Sequence, residues 1–188
     1  LRHASFEVMG GSVLARLIVI SNRAIGPHER GGRAGGLAIA LREALRQSGG
    51  VWLSWSGKIS DTPAPPTITQ VDNVTYVTRD LGQQDYNDFY LGFANGMLWP
   101  LCHYRPGQFD FNKTALEGYT RVNQLFAEAL LPLLRPDDLI WVHDYHFLLM
   151  ATALRRLGVI NRIGFFLHIP FPVPEVLTVL PRHRRLFR

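Results

Sequence analysis

A short apolar segment, Leu17–Ser21, is followed at once by Asn22 and Arg23 and then by a glycine-rich passage, GGRAGG. Its last glycines, Gly35 and Gly36, open a helical pattern, and a helix start exposes unpaired backbone N–H groups and the positive end of the helix dipole. Phosphate groups bind at such helix starts, and a guanidinium can add bidentate hydrogen bonds to a phosphate. The passage therefore indicates a protein that binds a phosphorylated small molecule.

The glycine-rich passage does not match the common phosphate-binding motifs. Arg33 stands where the dinucleotide fingerprint G-x-G-x-x-G requires glycine, and Leu37 and Ala38 stand where a P-loop has lysine and serine or threonine. An acidic residue placed for a ribose after the second strand is also missing, which disfavours an NAD-dependent oxidoreductase. A flexible loop with a close helix–strand contact stays open as the structural alternative.

The segment WVHDYH closes another apolar run and contains Asp144 between His143 and His146. A carboxylate at a strand end can accept hydrogen bonds from sugar hydroxyls. It can equally cap the helix that follows, and both interpretations stay open. The two histidines lack the cysteine or carboxylate partners of a zinc motif, so we expect neither a metal ion nor another cofactor.

His168 ends a third apolar run, IGFFLH, and is followed by three alternating prolines in PFPVP. Because proline restricts the backbone, we expect His168 to be held in place, either as a hydrogen-bonded structural residue or as a site residue. Tyr90 and Trp99 carry polar groups on their rings, as do aromatic residues that line sugar sites. Cys102 is interpreted as structural.

Five short apolar runs, separated by amphipathic segments, form the framework that must position these residues. LIVIS, LIWVH and IGFFLH are almost continuously apolar, as in parallel strands covered on both faces. The amphipathic segments have the 3.6-residue spacing of helices. We predict an α/β fold with a Rossmann-like, mainly parallel sheet and helices on both faces. The predicted strands are 17–21, 51–55, 74–78, 139–143 and 163–168, and the later helices are 85–98, 113–134 and 147–157.

Polar residues follow the ends of four predicted strands. The residues at or just beyond a strand's carboxyl end are Asn22 with Arg23, Ser56 with Gly57, Asp144 and His168. Ligands of open parallel sheets bind outside these carboxyl ends. The topology alone therefore predicts that these residues converge on one edge of the sheet.

Length, composition and charge limit the class of protein and its location. The chain has 188 residues, enough for one sizeable core, and a single cysteine. Residues 1–15 are predicted to be an extension without a secretory signal, and residues 16–188 one truncated domain. No apolar run reaches the ~20 residues of a membrane helix. Because a single cysteine cannot form an intrachain disulfide, a cytoplasmic location is expected. Four arginines in the last seven residues supply most of the net charge of +5, which does not favour nucleic-acid binding. The chain stops soon after a new helix begins, which predicts a fragment.

Several motifs occur in the order found in one enzyme family: SNR, AGG, WSG, FY, LWP, HYR, GYTRVN, WVHDYH and FFLHIPFPVPE. From about residue 16 to 180 the chain resembles the N-terminal half of the trehalose-6-phosphate synthases. This resemblance implies a retaining glycosyltransferase of the GT-B arrangement, with two Rossmann-like halves facing a cleft. Such enzymes transfer glucose from UDP-glucose to glucose 6-phosphate without a metal ion and release UDP.

The resemblance also implies roles for individual residues. Those that match the acceptor site for glucose 6-phosphate are Arg23, Tyr90, Trp99 and Asp144. Those that match the donor site for UDP-glucose are Gly35, Gly36 and His168. Two further pocket residues are implied, Trp55 and Ile169. His168 and Asp144 are the residues expected to act in catalysis.

The family's C-terminal half supplies the uridine pocket and the basic residues that grip the UDP diphosphate, and neither lies in this chain. We therefore expect the 188-residue chain to be inactive alone while binding glucose 6-phosphate weakly. A sugar-phosphate-binding or regulatory homologue without catalysis is the alternative function. No membrane partner is expected, and self-association into a homo-oligomer is left open.

Overall fold

The computed structural model describes residues 15–24, 36–62, 64–108, 111–180 and 186. Six strands are present: β1 (Leu17–Arg23), β2 (Gly50–Ile59), β3 (Thr67–Val71), β4 (Val74–Leu81), β5 (Leu139–His143) and β6 (Arg162–Phe166). They form one sheet in the order β3-β4-β2-β1-β5-β6, in which only the β3–β4 pair is antiparallel. The prediction of a mainly parallel sheet is confirmed.

The edge strand β3 was not among the predicted strands. Its sequence, TITQV, is exposed along almost its whole length, so it has no buried face to produce an apolar pattern. It pairs with β4 through a tight turn in which Asp72 takes a positive φ of 52°. Parallel strands that are buried on both faces are visible in a sequence, whereas this solvated hairpin is not.

Helices cover both faces of the sheet. On one face, Leu41 and Leu45 of α1 (Gly36–Ser48) pack with Val19 and Trp52. Ile18, on the other face of β1, belongs to a larger core. The remaining helical elements are α2 (Gln83–Asp85), a π-helix (Tyr86–Leu98), α3 (Trp99–Cys102), α4 (Lys113–Leu130), α5 (Met150–Arg156), α6 (Pro174–Leu177) and 3₁₀ turns at Pro106–Gln108, Leu131–Leu133 and Tyr145–Phe147.

The segment after β4 differs from its prediction in two respects. Residues Tyr86–Leu98 form a π-helix of 13 residues, whereas most π-helical segments are single turns and many of them lie at functional sites. The helical chain also continues through Pro100 to Cys102, beyond the predicted end at residue 98. Proline is tolerated there because it lies at the start of α3, where a backbone N–H is not needed.

Helix α4 packs along the π-helix. Asn112 caps its start by accepting hydrogen bonds from the N–H groups of Thr114 at 2.8 Å and Ala115 at 3.3 Å. Gly118 lets the two helices approach, because a Cβ there would overlap the side chain of Asp88. The helix ends at Leu130 and a 3₁₀ turn follows, so the predicted helix 113–134 was too long at its end.

No helix within the described ranges is long and apolar enough to cross a membrane. Of the predicted extension 1–15, only residue 15 falls inside those ranges, so the domain boundaries remain predictions.

Candidate functional site

The carboxyl ends of β2, β1, β5 and β6 lie side by side because these strands are adjacent and parallel. The chain leaves β1 toward β2 on one side of the sheet and later returns to β5 on the other, so a topological switch point lies between β1 and β5. Ligands of open α/β sheets bind at such points. Arg23 and Asp144 flank this one.

The guanidinium of Arg23 lies over Gly57 and 5.2 Å from the centre of the Trp55 ring. Gly57 has a φ of +86°, and a side chain there would overlap the guanidinium. A hydrogen bond also fixes the backbone of Arg23, because the Ser21 hydroxyl donates to the Arg23 carbonyl at 2.9 Å. Within the described residues no carboxylate forms an ion pair with Arg23, which leaves an exposed, oriented positive charge at the end of β1.

Aromatic rings extend from this arginine across the end of β2. Trp55 is buried, donates its indole N–H to the carbonyl of Lys58 at 2.9 Å, and lies 5.2 Å from Tyr90 between ring centres. Tyr90 also stacks on Tyr86 at 5.5 Å and on His146 at 5.8 Å. Tyr86 was missed by the sequence reasoning, and its spacing of four residues from Tyr90 on one helix was the available signal.

Asp144 follows β5 with φ 71° and ψ 169°, a backbone region that is almost restricted to glycine. Its carboxylate does not cap the 3₁₀ turn that follows; it accepts a hydrogen bond from the backbone N–H of His168 at 3.4 Å. The capping interpretation is therefore wrong. Strained residues of this kind cluster at functional sites, and the strain places the half-buried carboxylate at the switch point.

The loop that carries Asp144 is held from behind by α4. The buried hydroxyl of Tyr119 donates to the carbonyl of Tyr145 at 2.6 Å and accepts from the N–H of Leu148 at 2.9 Å. The Asn123 amide donates to the carbonyl of His146 at 3.2 Å. Burial raises the pKa of the Tyr119 phenol, so this group stays neutral as both donor and acceptor.

His168 lies two residues beyond β6 with an exposed side chain. Its Nε2 is 2.9 Å from Nδ1 of His143, the last residue of β5. The next residue, Ile169, is half-buried against the larger core. The proline turn is tied to the segment after α3 because the N–H of Val173 donates to the Tyr104 hydroxyl at 3.1 Å.

Trp99 is half-buried at the start of α3 and lies apart from the other aromatic candidates. Its ring stacks on His103 at 4.0 Å and has the Arg105 guanidinium at 5.7 Å. No ring contact joins it to Trp55 or Tyr90 within the described part of the chain. The structure thus brings Trp55 and Tyr90 together with Arg23 but not Trp99.

His146 is buried, and neither of its ring nitrogens has a hydrogen-bond partner among the described residues. Burial lowers the pKa of this imidazole to about 3, so it is neutral near neutral pH. His143 and His146 face different neighbours, and no three His, Cys, Asp or Glu side chains in the described ranges are grouped to hold a metal ion. Cys102 is also buried, which raises the pKa of its thiol to about 11 and disfavours the reactive thiolate.

The predicted diphosphate site falls largely outside the described residues. Gly35 is not described, and Gly36 is the first residue of α1, a helix of 13 residues. The role of both glycines therefore stays a prediction.

The fold and this edge define a Rossmann-like α/β domain with a polar and aromatic site at the carboxyl ends of its parallel strands. Residues 19–188 match the model of glycosyltransferase family 20, and the chain belongs to that family. The family resemblance inferred from the motifs is confirmed.

Individual relatives agree with the family match. A trehalose-6-phosphate synthase of Citrobacter koseri is 50% identical over 173 residues, which are 92% of this chain and 36% of that protein. A solved Burkholderia xenovorans α,α-trehalose-phosphate synthase (UDP-forming), in complex with glucose 6-phosphate, is 46% identical with a TM-score of 0.82 and covers 91% of this chain and 37% of its own. A solved Escherichia coli relative bound with UDP-2-fluoro glucose is 46% identical with a TM-score of 0.85, covering 92% of this chain and 37% of its own. The chain thus spans just over a third of the length of these proteins.

Proposed function

We propose that this chain is the acceptor-side domain of an α,α-trehalose-6-phosphate synthase. The whole enzyme would transfer glucose from UDP-glucose to glucose 6-phosphate with retention of configuration and release UDP. Family membership and the relatives' names support this activity, and the complexes of two relatives with glucose 6-phosphate and UDP-2-fluoro glucose support the two substrates.

The main support for this proposal from the chain's own structure is the environment of the Arg23 guanidinium. The guanidinium is exposed, is held over Gly57 and the Trp55 ring, and pairs with no carboxylate among the described residues. A guanidinium in that state matches the geometry and charge of a phosphate monoester. Arg23 therefore binds the phosphate of glucose 6-phosphate in this proposal.

The remaining site residues hold the sugar. Asp144 accepts hydrogen bonds from sugar hydroxyls, and Tyr90 with Trp55 forms an aromatic wall beside the phosphate site. The family resemblance assigns Trp99 and Ile169 to the same pocket, although Trp99 makes no ring contact with Trp55 or Tyr90 in the described part of the structure. The hydrogen bond between Tyr104 and Val173 supports a common position for their two segments, because it ties the chain after Trp99 to the chain after Ile169. His168 lies near the reacting sugars and contacts the donor.

Binding of UDP-glucose needs the start of a helix and also the residues of the family's C-terminal half, which this chain does not contain. The start of α1 at Gly36, with Gly35 before it, would place N–H groups near the diphosphate and stabilise the leaving UDP. We infer that transfer occurs on one face of the sugar, with the acceptor oxygen held beside the departing diphosphate, rather than through a covalent enzyme intermediate. With 36% of a relative's length, the chain alone should form no trehalose 6-phosphate.

Calorimetric titration of the 188-residue chain with glucose 6-phosphate tests the acceptor assignment. We expect saturable binding that Arg23→Ala abolishes and that glucose without phosphate does not reproduce. Arg156→Ala is the matched control, since it removes an exposed guanidinium from the end of α5, before β6 and therefore at the opposite edge of the sheet. Binding that survives Arg23→Ala would refute the phosphate assignment.

We also infer a cytoplasmic location for the whole protein. The support is compositional, since a chain with one cysteine forms no internal disulfide. Export of the protein to an oxidising compartment, measured by cell fractionation, would contradict this.

A further inference from the structure

The imidazoles of His143 and His168 are joined edge to edge. Nδ1 of His143 and Nε2 of His168 are 2.9 Å apart, and the two rings are nearly parallel, with an interplanar angle of 13°. His143 is buried at the end of β5, while the side chain of His168 is exposed at the site. The buried imidazole of His143 is therefore hydrogen-bonded to the exposed imidazole of His168.

A hydrogen bond between two neutral imidazoles needs one protonated and one bare nitrogen. The other nitrogen of His143, Nε2, is buried and has no hydrogen-bond partner among the described residues. Buried N–H groups without an acceptor are rarer in native structures than buried acceptors without a donor. The proton of His143 is therefore placed on Nδ1, from which it is donated to Nε2 of His168.

We propose that His143 is a positioning residue that fixes the tautomer of His168. Because Nε2 of His168 accepts this hydrogen bond, neutral His168 carries its proton on Nδ1. The exposed imidazole then presents an N–H donor to the ligand, suited to a sugar hydroxyl oxygen. The identity of that ligand rests on the proposed function, whereas the tautomer does not.

The surroundings of His143 keep it neutral. Its ring packs between Trp141, at 4.5 Å, and Phe166, at 6.4 Å between ring centres. Burial, and secondarily the neighbouring His168, lower the pKa of His143 to about 4. A neutral imidazole can act as a single donor, whereas a doubly protonated one would leave a charged N–H buried at Nε2.

The residue that follows His143, just beyond the end of β5, holds the backbone of His168. The Asp144 carboxylate accepts a hydrogen bond from the His168 N–H at 3.4 Å, and the Asp144 N–H donates to the carbonyl of Phe166 at 2.8 Å. Two consecutive residues therefore fix His168 at its backbone and at its ring. Ring orientation and tautomer are set before a ligand arrives.

Nitrogen-15 NMR of the 188-residue chain in neutral to mildly alkaline buffer measures the tautomer directly. His168→Gln identifies the His168 signals among those of the seven histidines. We expect His168 to show a protonated Nδ1 and a bare Nε2. In His143→Leu this pattern should shift toward the Nε2-protonated form that free histidine prefers, while His143→Asn, whose amide can still donate, should restore it.

The wild-type spectrum decides even if His143→Leu does not fold. A His168 signal with Nε2 protonated would overturn the proposal, and so would an unchanged Nδ1-protonated signal in a folded His143→Leu chain. Amide spectra of both variants show whether the fold persists. Failure of the chain to bind glucose 6-phosphate would refute its assignment as the acceptor-side domain and leave this tautomer result standing.

Discussion

The contact between Gly57 and Arg23 makes a quantitative prediction about the phosphate site. In Gly57→Ala the new Cβ overlaps the guanidinium, which is the end of a flexible side chain and so moves away rather than disrupting the fold. The φ of +86° adds backbone strain of about 1–2 kcal/mol for a residue other than glycine. Stability should therefore fall only modestly, whereas the position of the guanidinium is lost.

The two effects have separate magnitudes. Losing a hydrogen bond to a charged group costs about 1.5–3 kcal/mol, which corresponds to roughly 10- to 150-fold weaker binding of glucose 6-phosphate. Gly158→Ala is the matched control, because Gly158 has a similar φ of +82° and open space around its Cβ position. It should lose the same 1–2 kcal/mol of stability through strain without weakening ligand binding.

Calorimetry for binding and urea denaturation for stability check both parts. Wild-type affinity in Gly57→Ala would refute the assignment of the phosphate to the Arg23 position. Equal weakening by Gly158→Ala would show that strain, and not the guanidinium, controls binding.

Three further predictions concern the elements around the site. The free energy of unfolding of Asp144→Gly should exceed that of Asp144→Ala by about 1–2 kcal/mol, because only glycine relieves the strained backbone. Equal urea midpoints of the two variants would contradict the strain. The His146 pKa of about 3 lies below its ordinary value, so its contribution to stability is present above about pH 6.5 and is lost as the pH falls toward 3. The wild-type unfolding free energy should then decrease by up to about 1.4 kcal/mol per pH unit more than that of His146→Phe, and parallel pH curves would refute this. Gly118→Ala should cost about 1–3 kcal/mol through overlap with Asp88, while the exposed neighbour Glu117→Ala should cost little.

Much of this fold was predictable because its central strands β1, β2 and β5 are largely buried. The prediction that the last strand is covered on both faces was wrong, because β6 lies at the edge of the sheet and is mostly exposed. β1 and β5 are continuous apolar runs, and their parallel arrangement places Arg23 and Asp144 on one edge without any knowledge of side-chain contacts. The end of α5 was predictable in the same local way, because glycine commonly follows a helix end. Gly158 has the positive φ expected of such a glycine. Such features depend on short stretches of sequence.

Other features depend on contacts between distant segments and were not predictable. The π-helix was expected to be an α-helix, because the two share a composition and differ only in hydrogen-bond spacing. The ring pair of His143 and His168 joins residues 25 apart. The strained backbone of Asp144 has no sequence signal, since aspartate rarely occupies a glycine region.

The two hydrogen bonds of the Tyr119 hydroxyl have a thermodynamic consequence for ligand binding. They connect α4 to both sides of the turn after Asp144, so the free energy of ordering that turn belongs to folding and not to association. Because the Asp144 carboxylate is already ordered, binding a ligand there costs little conformational entropy of the protein. Affinity at this edge is then determined mainly by the ligand's own desolvation and by the contacts it makes.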